Sequence, residues 1–122
     1  SNVKINIDSK VDCKIKGDKV LLIWAFENLV KNSLDACDQN NAIINISMEK
    51  KNRKVIINLS DNGIGIPRKN WSDVFKPGFS SKERGWGLGL SLTRRIIEEL
   101  HNGSIRVIKS RPGATLIRII LS

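Results

Sequence analysis

The chain has 122 residues and a net charge of +9, with 40% hydrophobic and 27% charged residues. This is the composition of an ordinary globular domain, and the length predicts one compact domain over residues 1–122. No apolar run approaches the roughly 20 residues that a membrane-spanning helix needs, and the spread of basic residues leaves open either a polyanionic partner or a merely solvated surface.

The first third of the chain predicts two short strands and a long helix. Residues 3–7 (VKINI) alternate apolar and polar side chains, as a half-buried strand does, and residues 11–15 (VDCKI) are a weaker candidate. Asp18 follows a glycine and suits the N-cap of a helix that runs to about Cys37.

The middle of the chain predicts a β-hairpin followed by a long loop. Residues 42–49 alternate, and residues 55–60 (VIINLS) are nearly all apolar, which is typical of a central strand. Residues 67–84 have no sustained period, apart from a helical turn near residues 70–74, and a long loop in a compact domain is usually a functional lid.

The last third predicts a helix over residues 87–101 and two closing strands, residues 104–110 and 115–122. Gly103 is expected to cap the helix, and a Pro-Gly pair makes the turn between the strands. The element order has no βαβ repeat, so it predicts an α+β fold. We expect a two-layer α/β sandwich with a mixed, mostly antiparallel sheet and about three helices on one face.

Two glycine-rich stretches stand out, DNGIGIP and GWGLGLSL. Neither is a P-loop, GxxxxGK[ST], or a dinucleotide fingerprint, GxGxxG. In the second stretch Gly85, Gly87 and Gly89 alternate just before a helix, where backbone amides form an anion site. This stretch is either a phosphate cradle or a flexible hinge.

Three polar residues are candidates for ligand binding. Asp61 ends an apolar strand, and its oxygens could accept a hydrogen bond from an exocyclic amine such as that of adenine, although Asp-Asn-Gly is also a common turn. Asn28 and Asn32 lie one helical turn apart, and an amide oxygen there could bind Mg²⁺ if the face is not simply solvated.

The cysteines and the histidine carry no recognisable metal motif. Cys13 and Cys37 stand in neither a CxxC nor any other zinc spacing, and two reduced thiols fit a cytoplasmic setting. His101 stands beside the glycine that ends a helix, which is typical of a structural histidine rather than a phosphoacceptor.

Five segments occur in the order ENLVKNSLDA, DNGIGIP, FKPGFSSK, GWGLGLSL and GAT. In this order they resemble the N, G1, F, G2 and G3 boxes of the GHKL superfamily. More closely, nearly the whole chain resembles the catalytic ATP-binding domain of bacterial sensor histidine kinases. The resemblance implies the Bergerat ATP-binding fold, with ATP and Mg²⁺ as cofactors.

The resemblance also implies roles for the matching residues. Asn32 corresponds to the Mg²⁺ ligand, and Asn28 to a catalytic neighbour that supports the metal and phosphates. Asp61 corresponds to the aspartate that reads the adenine amino group, and Thr115 to a threonine of the adenine-water network. The other expected ATP-site residues are Gly63, Gly65 and Ile66 at the adenine end, Phe75, Phe79, Lys82 and Arg84 in the lid, Gly85, Gly87, Leu88, Gly89 and Leu90 at the phosphates, and Asp35 on the long helix.

Two positions depart from the family pattern. Asp35 stands where many histidine kinases carry a phosphate-facing lysine, so that lysine contact is not carried over. Trp86 stands between phosphate-loop glycines, where the family often has a small or hydroxyl residue.

The resemblance implies phosphotransfer rather than efficient hydrolysis. Related gyrase, mismatch-repair and chaperone ATPases carry a glutamate base at the position of Asn28, and an amide cannot accept a proton at neutral pH. The expected activity is that of a cytoplasmic histidine protein kinase, inactive in autophosphorylation without its acceptor domain.

The implied partners are a separate dimerisation domain with the acceptor histidine, and a response-regulator receiver domain. A nucleic-acid partner is disfavoured. The parent protein is expected to be a homodimer, and its membrane anchoring is left open. The alternatives are a GHKL serine kinase and a non-catalytic nucleotide sensor.

Overall fold

The computed structural model describes residues 3–9, 16–38, 40–79 and 90–122. Its strands and helices follow the predicted order closely. They are β1 (Val3–Ser9), α1 (Lys19–Ala36), β2 (Ala42–Lys51), β3 (Lys54–Asp61), α2 (Leu90–Arg95, continued by a π-helical segment Ile96–Leu100), β4 (Ser104–Arg111) and β5 (Ala114–Leu121), with 3₁₀ turns at Arg68–Asn70 and Asp73–Phe75. The predicted strand over residues 11–15 lies outside the described residues.

The strands form one five-stranded sheet in the order β1-β2-β3-β5-β4. β1 runs parallel to β2, and the remaining neighbours are antiparallel. β3 therefore lies at the centre, as its continuous apolar sequence predicted. The mixed, mostly antiparallel sheet is confirmed.

The helices cover one face of this sheet, and the core lies between the two layers. On β3 and β5 every second residue is buried, which is the period of a sheet with one covered face. Leu29 of α1 and Ile97 of α2 pack against Ile57 and Ile119 of the central strands. This is the predicted two-layer α/β sandwich. No helix within the described ranges is long and apolar enough to cross a bilayer.

A hydrogen bond connects the start of α1 to the end of α2. Asp18 caps α1 as predicted, with Oδ1 accepting a hydrogen bond from the Leu21 amide at 3.1 Å. The Asp18 amide donates to His101 Nε2 at 2.9 Å, and His101 Nδ1 lies 2.7 Å from the Ile96 carbonyl oxygen. Through these two contacts His101 bridges the start of α1 and the end of α2.

At the end of α2 the left-handed conformation falls on a different residue from the glycine that the sequence predicted. Asn102 has a φ of 54°, whereas Gly103 is not among the positive-φ residues. The Gly103 amide donates to the Ile97 carbonyl at 2.8 Å, and a Cβ at Gly103 would lie 2.5 Å from the Ile120 carbonyl oxygen. The glycine is therefore required because the chain passes close to β5, and not because of its own φ.

Candidate functional site

A mostly apolar cavity opens between α1, the end of β3, β5 and the start of α2. Its position follows from the fold, because the inward side chains of the central strands meet the C-terminal half of α1 there. The described residues that line it are Asn32, Ser33, Ala36, Asp61, Gly65, Ile66, Val74, Leu90, Thr115 and Ile117. Apolar walls with a few convergent polar groups are typical of small-molecule sites.

Asp61 supplies the only carboxylate among the described lining residues. It is 8% exposed, and its Oδ1 accepts a hydrogen bond from the Gly63 amide at 2.9 Å. Burial raises the pKa of this carboxyl, while the Gly63 amide and the Ser33 hydroxyl, which both donate to it, act in the opposite direction. The carboxylate is thus a positioned acceptor in an apolar cavity, suited to a ligand that donates hydrogen bonds.

The glycines of the loop after β3 serve backbone packing. A Cβ at Gly63 would lie 2.6 Å from the Ala36 carbonyl oxygen, and one at Gly65, whose φ is +85°, would lie 2.7 Å from the Arg111 carbonyl carbon. The Gly63 carbonyl also accepts the Gly113 amide at 2.8 Å. The loop is therefore clamped between the end of α1 and the β4–β5 turn, and this clamp holds Asp61 in place.

Thr115 faces the cavity beside Asp61, since the two residues are directly opposite in the β3–β5 register. Thr115 is 5% exposed, and its Oγ1 lies 2.7 Å from Ser110 Oγ. Ser110 Oγ also accepts the Ile66 amide at 2.6 Å. The Ile66 carbonyl in turn accepts Trp71 Nε1 at 2.9 Å, so the backbone of Ile66 is held on both sides.

The two asparagines of α1 lie one turn apart but have different surroundings. Asn32 lines the cavity, and its Nδ2 donates to the Asn28 carbonyl at 2.9 Å. Asn28 Nδ2 donates at 2.9 Å to the hydroxyl of Thr93, a fully buried residue of α2. Asn32 therefore belongs to the cavity itself, while Asn28 joins α1 to α2 behind it.

Asp61 and Asn32, two of the residues that the sequence motifs singled out, line the same cavity. A family profile described as "Histidine kinase-, DNA gyrase B-, and HSP90-like ATPase" matches residues 17–122. The chain belongs to this family. Sporulation kinase B of Bacillus subtilis, a relative, is 34% identical over 120 residues, which cover 98% of this chain and 28% of that protein. The chain thus spans less than a third of that relative's length.

Solved histidine kinases share the fold. The catalytic domain of histidine kinase ThkA, in a nucleotide-free form, has a TM-score of 0.87 at 28% identity, covering 98% of this chain and 78% of that one. ThkA in complex with the response regulator TrrA has a TM-score of 0.83 at 26% identity, covering 98% and 34%. These likenesses confirm the predicted branch, the catalytic ATP-binding domain of two-component sensor histidine kinases.

Mg²⁺ is the metal that the family implies, and Asn32 fits it. Its side-chain nitrogen donates to the Asn28 carbonyl, and its amide oxygen is the kind of atom that binds Mg²⁺. Mg²⁺ typically takes one or two protein ligands and completes its shell with phosphate and water oxygens. The described part of the chain contains no cluster of three or more His, Cys, Asp or Glu that could hold a metal.

Several predicted site residues lie elsewhere or outside the described residues. Phe75 is buried in the core, Phe79 packs against the core, and Asp35 is exposed on α1; none of the three lines the cavity. Ile66, Gly65 and Leu90 do line it, so part of the predicted set is brought together. The predicted residues outside the described ranges are Lys82, Arg84, Gly85, Gly87, Leu88 and Gly89, together with the neighbouring Trp86 and with Cys13.

The sequence prediction missed the lining residues Ser33, Ala36, Val74 and Ile117. Ser33 follows Asn32 directly and lies one turn before Cys37, so its inward position on α1 could have been inferred from helical spacing. Val74 belongs to a short 3₁₀ turn, and no sequence period marks its position.

Proposed function

We propose that this domain binds Mg-ATP and catalyses transfer of its γ-phosphoryl group to a histidine on a separate dimerisation domain. The observation that carries the proposal is that Asp61 and Asn32 line the same cavity. A buried carboxylate suits the adenine amino group, and an amide oxygen on the helix suits the metal that accompanies the phosphates. ATP has these two chemically different ends.

The surroundings of Asn28 support phosphotransfer over hydrolysis. A hydrolase needs a base to activate water, and no described carboxylate other than Asp61 lines the cavity. Asn28 is an amide engaged with Thr93, and Glu27 is exposed on α1. Catalysis would then consist of positioning and charge stabilisation, with Mg²⁺ neutralising the charge on the β- and γ-phosphates.

The acceptor histidine belongs to another domain in this proposal. His101, the single histidine, has both ring nitrogens engaged between α1 and α2, so it is not available as an acceptor. The phosphoryl group would pass next to a response-regulator aspartate. The complex of the similar kinase ThkA with its regulator TrrA supports this partner class. We expect the activity to be cytoplasmic, because ATP is supplied there.

The decisive experiment is to mix the domain with labelled ATP, Mg²⁺ and the separately purified dimerisation domain of its parent protein. We expect acid-labile phosphate on the added domain, and none with Asn32→Ala. Acid-stable phosphoserine would instead indicate a serine kinase of the same superfamily. Tight ATP binding without any transfer would refute the kinase proposal and leave a nucleotide sensor.

A further inference from the structure

Ser110 does not line the ATP cavity, but its side chain contacts two residues that do. Its hydroxyl oxygen accepts the Ile66 amide at 2.6 Å and lies 2.7 Å from Thr115 Oγ1. Both of these partners line the cavity. Ser110 is therefore placed to orient two neighbouring parts of the cavity wall toward a ligand.

Either hydroxyl of the Ser110–Thr115 pair could be the donor, and the neighbouring groups favour one of the two arrangements. Ser110 Oγ uses one lone pair for the Ile66 amide and keeps one proton to donate. Thr115 stands directly opposite Asp61, where Cβ atoms on paired strands are about 4.5–5.5 Å apart. A negative carboxylate at that distance favours the arrangement in which the Thr115 proton points to the cavity side. Ser110 then donates to Thr115, and Thr115 keeps its own proton for a ligand.

We propose that Ser110 is a positioning residue for base recognition, which holds the Thr115 hydroxyl as a hydrogen-bond donor toward the ring nitrogen next to the adenine amino group. This inference rests on the proposed function. Asp61 accepts from the amino group, and Thr115, directly or through one water, donates to the adjacent N1 atom.

This arrangement distinguishes adenine from guanine by complementarity at two adjacent atoms. Adenine presents a donor followed by an acceptor, which matches the carboxylate and the hydroxyl donor. Guanine presents its O6 acceptor toward Asp61 and an N1–H donor toward Thr115, so both contacts are mismatched. Sites built to hydrogen-bond one pattern reject the other because buried polar groups are left unpaired.

The test compares ATP with 1-deaza-ATP, in which N1 is replaced by a carbon, for wild type and Ser110→Ala. Calorimetry with the wild-type domain should show ATP bound about three- to tenfold more tightly than the analogue, the range of one net hydrogen bond. In Ser110→Ala this ratio should fall toward one. Ser60→Ala, a change on the opposite face of the sheet, should leave the ratio unchanged.

A purely structural role predicts a different result. Loss of the Ile66 amide's acceptor would disturb the cavity wall for both nucleotides, so equal weakening of ATP and 1-deaza-ATP would overturn the proposal. A wild type that binds the two nucleotides equally would also overturn it. Failure of the wild type to bind ATP at all would instead refute the proposed function.

Two further variants control for misfolding and for indirect effects of the substitution. Ser110→Cys keeps the shape of the side chain in a larger form with a weaker donor and acceptor, so we expect the ratio to fall, and the melting temperature shows whether this variant is folded. In a Thr115→Val background the ratio should already be near one, and adding Ser110→Ala should not change it. A further drop in that background would show that Ser110 acts other than through Thr115.

Discussion

Replacing Asp61 with asparagine should weaken adenine nucleotide binding and stabilise the empty domain at the same time. The structure sets the orientation of the new amide. Oδ1 of residue 61 accepts the Gly63 amide, a contact that only the oxygen of an asparagine can keep. The side-chain nitrogen must then occupy the other carboxylate position, where it would present a donor to the donor group of adenine.

The expected loss follows from this replacement. A hydrogen bond to a charged group contributes about 1.5–3 kcal/mol, so ATP should bind roughly 10- to 150-fold more weakly. Inorganic triphosphate has no base and should lose almost nothing. Asp8→Asn, an exposed carboxylate on β1, is the matched control and should leave both ligands unaffected.

The stability gain depends on pH in a definite direction. Burial raises the pKa of Asp61 above its ordinary value of 3.8, so the folded domain binds a proton more readily than the unfolded chain. The wild type therefore gains unfolding free energy as pH falls through the folded pKa, and at neutral pH the buried charge is destabilising. Asp61→Asn should be more stable at neutral pH, within the range of about 0.5–2 kcal/mol that single stabilising substitutions commonly give.

Urea denaturation from pH 7 to about pH 4.5 and calorimetry at neutral pH test both parts. The stability advantage of Asp61→Asn should shrink as the pH falls, because the wild-type carboxyl becomes protonated. If ATP and triphosphate lost affinity equally, Asp61 would not read the base. If the variant were less stable at every pH, burial would not be the dominant effect on this carboxyl.

Three other substitutions test separate parts of the site and fold. Asn32→Ala should abolish the Mg²⁺ dependence of ATP binding measured by calorimetry, and an unchanged metal dependence would remove Asn32 from the metal site. Gly63→Ala places a Cβ 2.6 Å from the Ala36 carbonyl oxygen and should cost about 1–3 kcal/mol in denaturant unfolding; wild-type stability would show that the loop is not clamped there. His101→Ala removes the contacts to the Asp18 amide and the Ile96 carbonyl and should cost about 0.5–1.5 kcal/mol, while an unaltered melting temperature would contradict its bridging role.

Most of the fold could be predicted from the sequence because each element has its own local signal. The alternation of residues 42–49, the continuous apolar run of residues 55–60 and the N-cap at Asp18 each predicted an element that the structure contains. Periodicity reports which side of an element is buried, and it needs no knowledge of the partner. The order of motifs likewise sufficed to place the chain in its family.

Contacts between residues distant in the chain were decided only by the tertiary structure. Ile66 and Ser110 are 44 positions apart, and Asp18 and His101 are 83 apart, so no local pattern links either pair. The sequence contains glycines at positions 63 and 103, but it does not show that the backbone of α1 lies close to Gly63 and the backbone of β5 close to Gly103.

The sequence by itself therefore determined the elements, their order and the chemical types at the site, with Asp61 and Asn32 among them. The tertiary structure decided which groups hold those residues in place: Ser33 and Gly63 for the carboxylate, and Ser110 for Thr115. The physical reason is that a hydrogen bond depends on distance and direction in space, which close packing of the two layers sets.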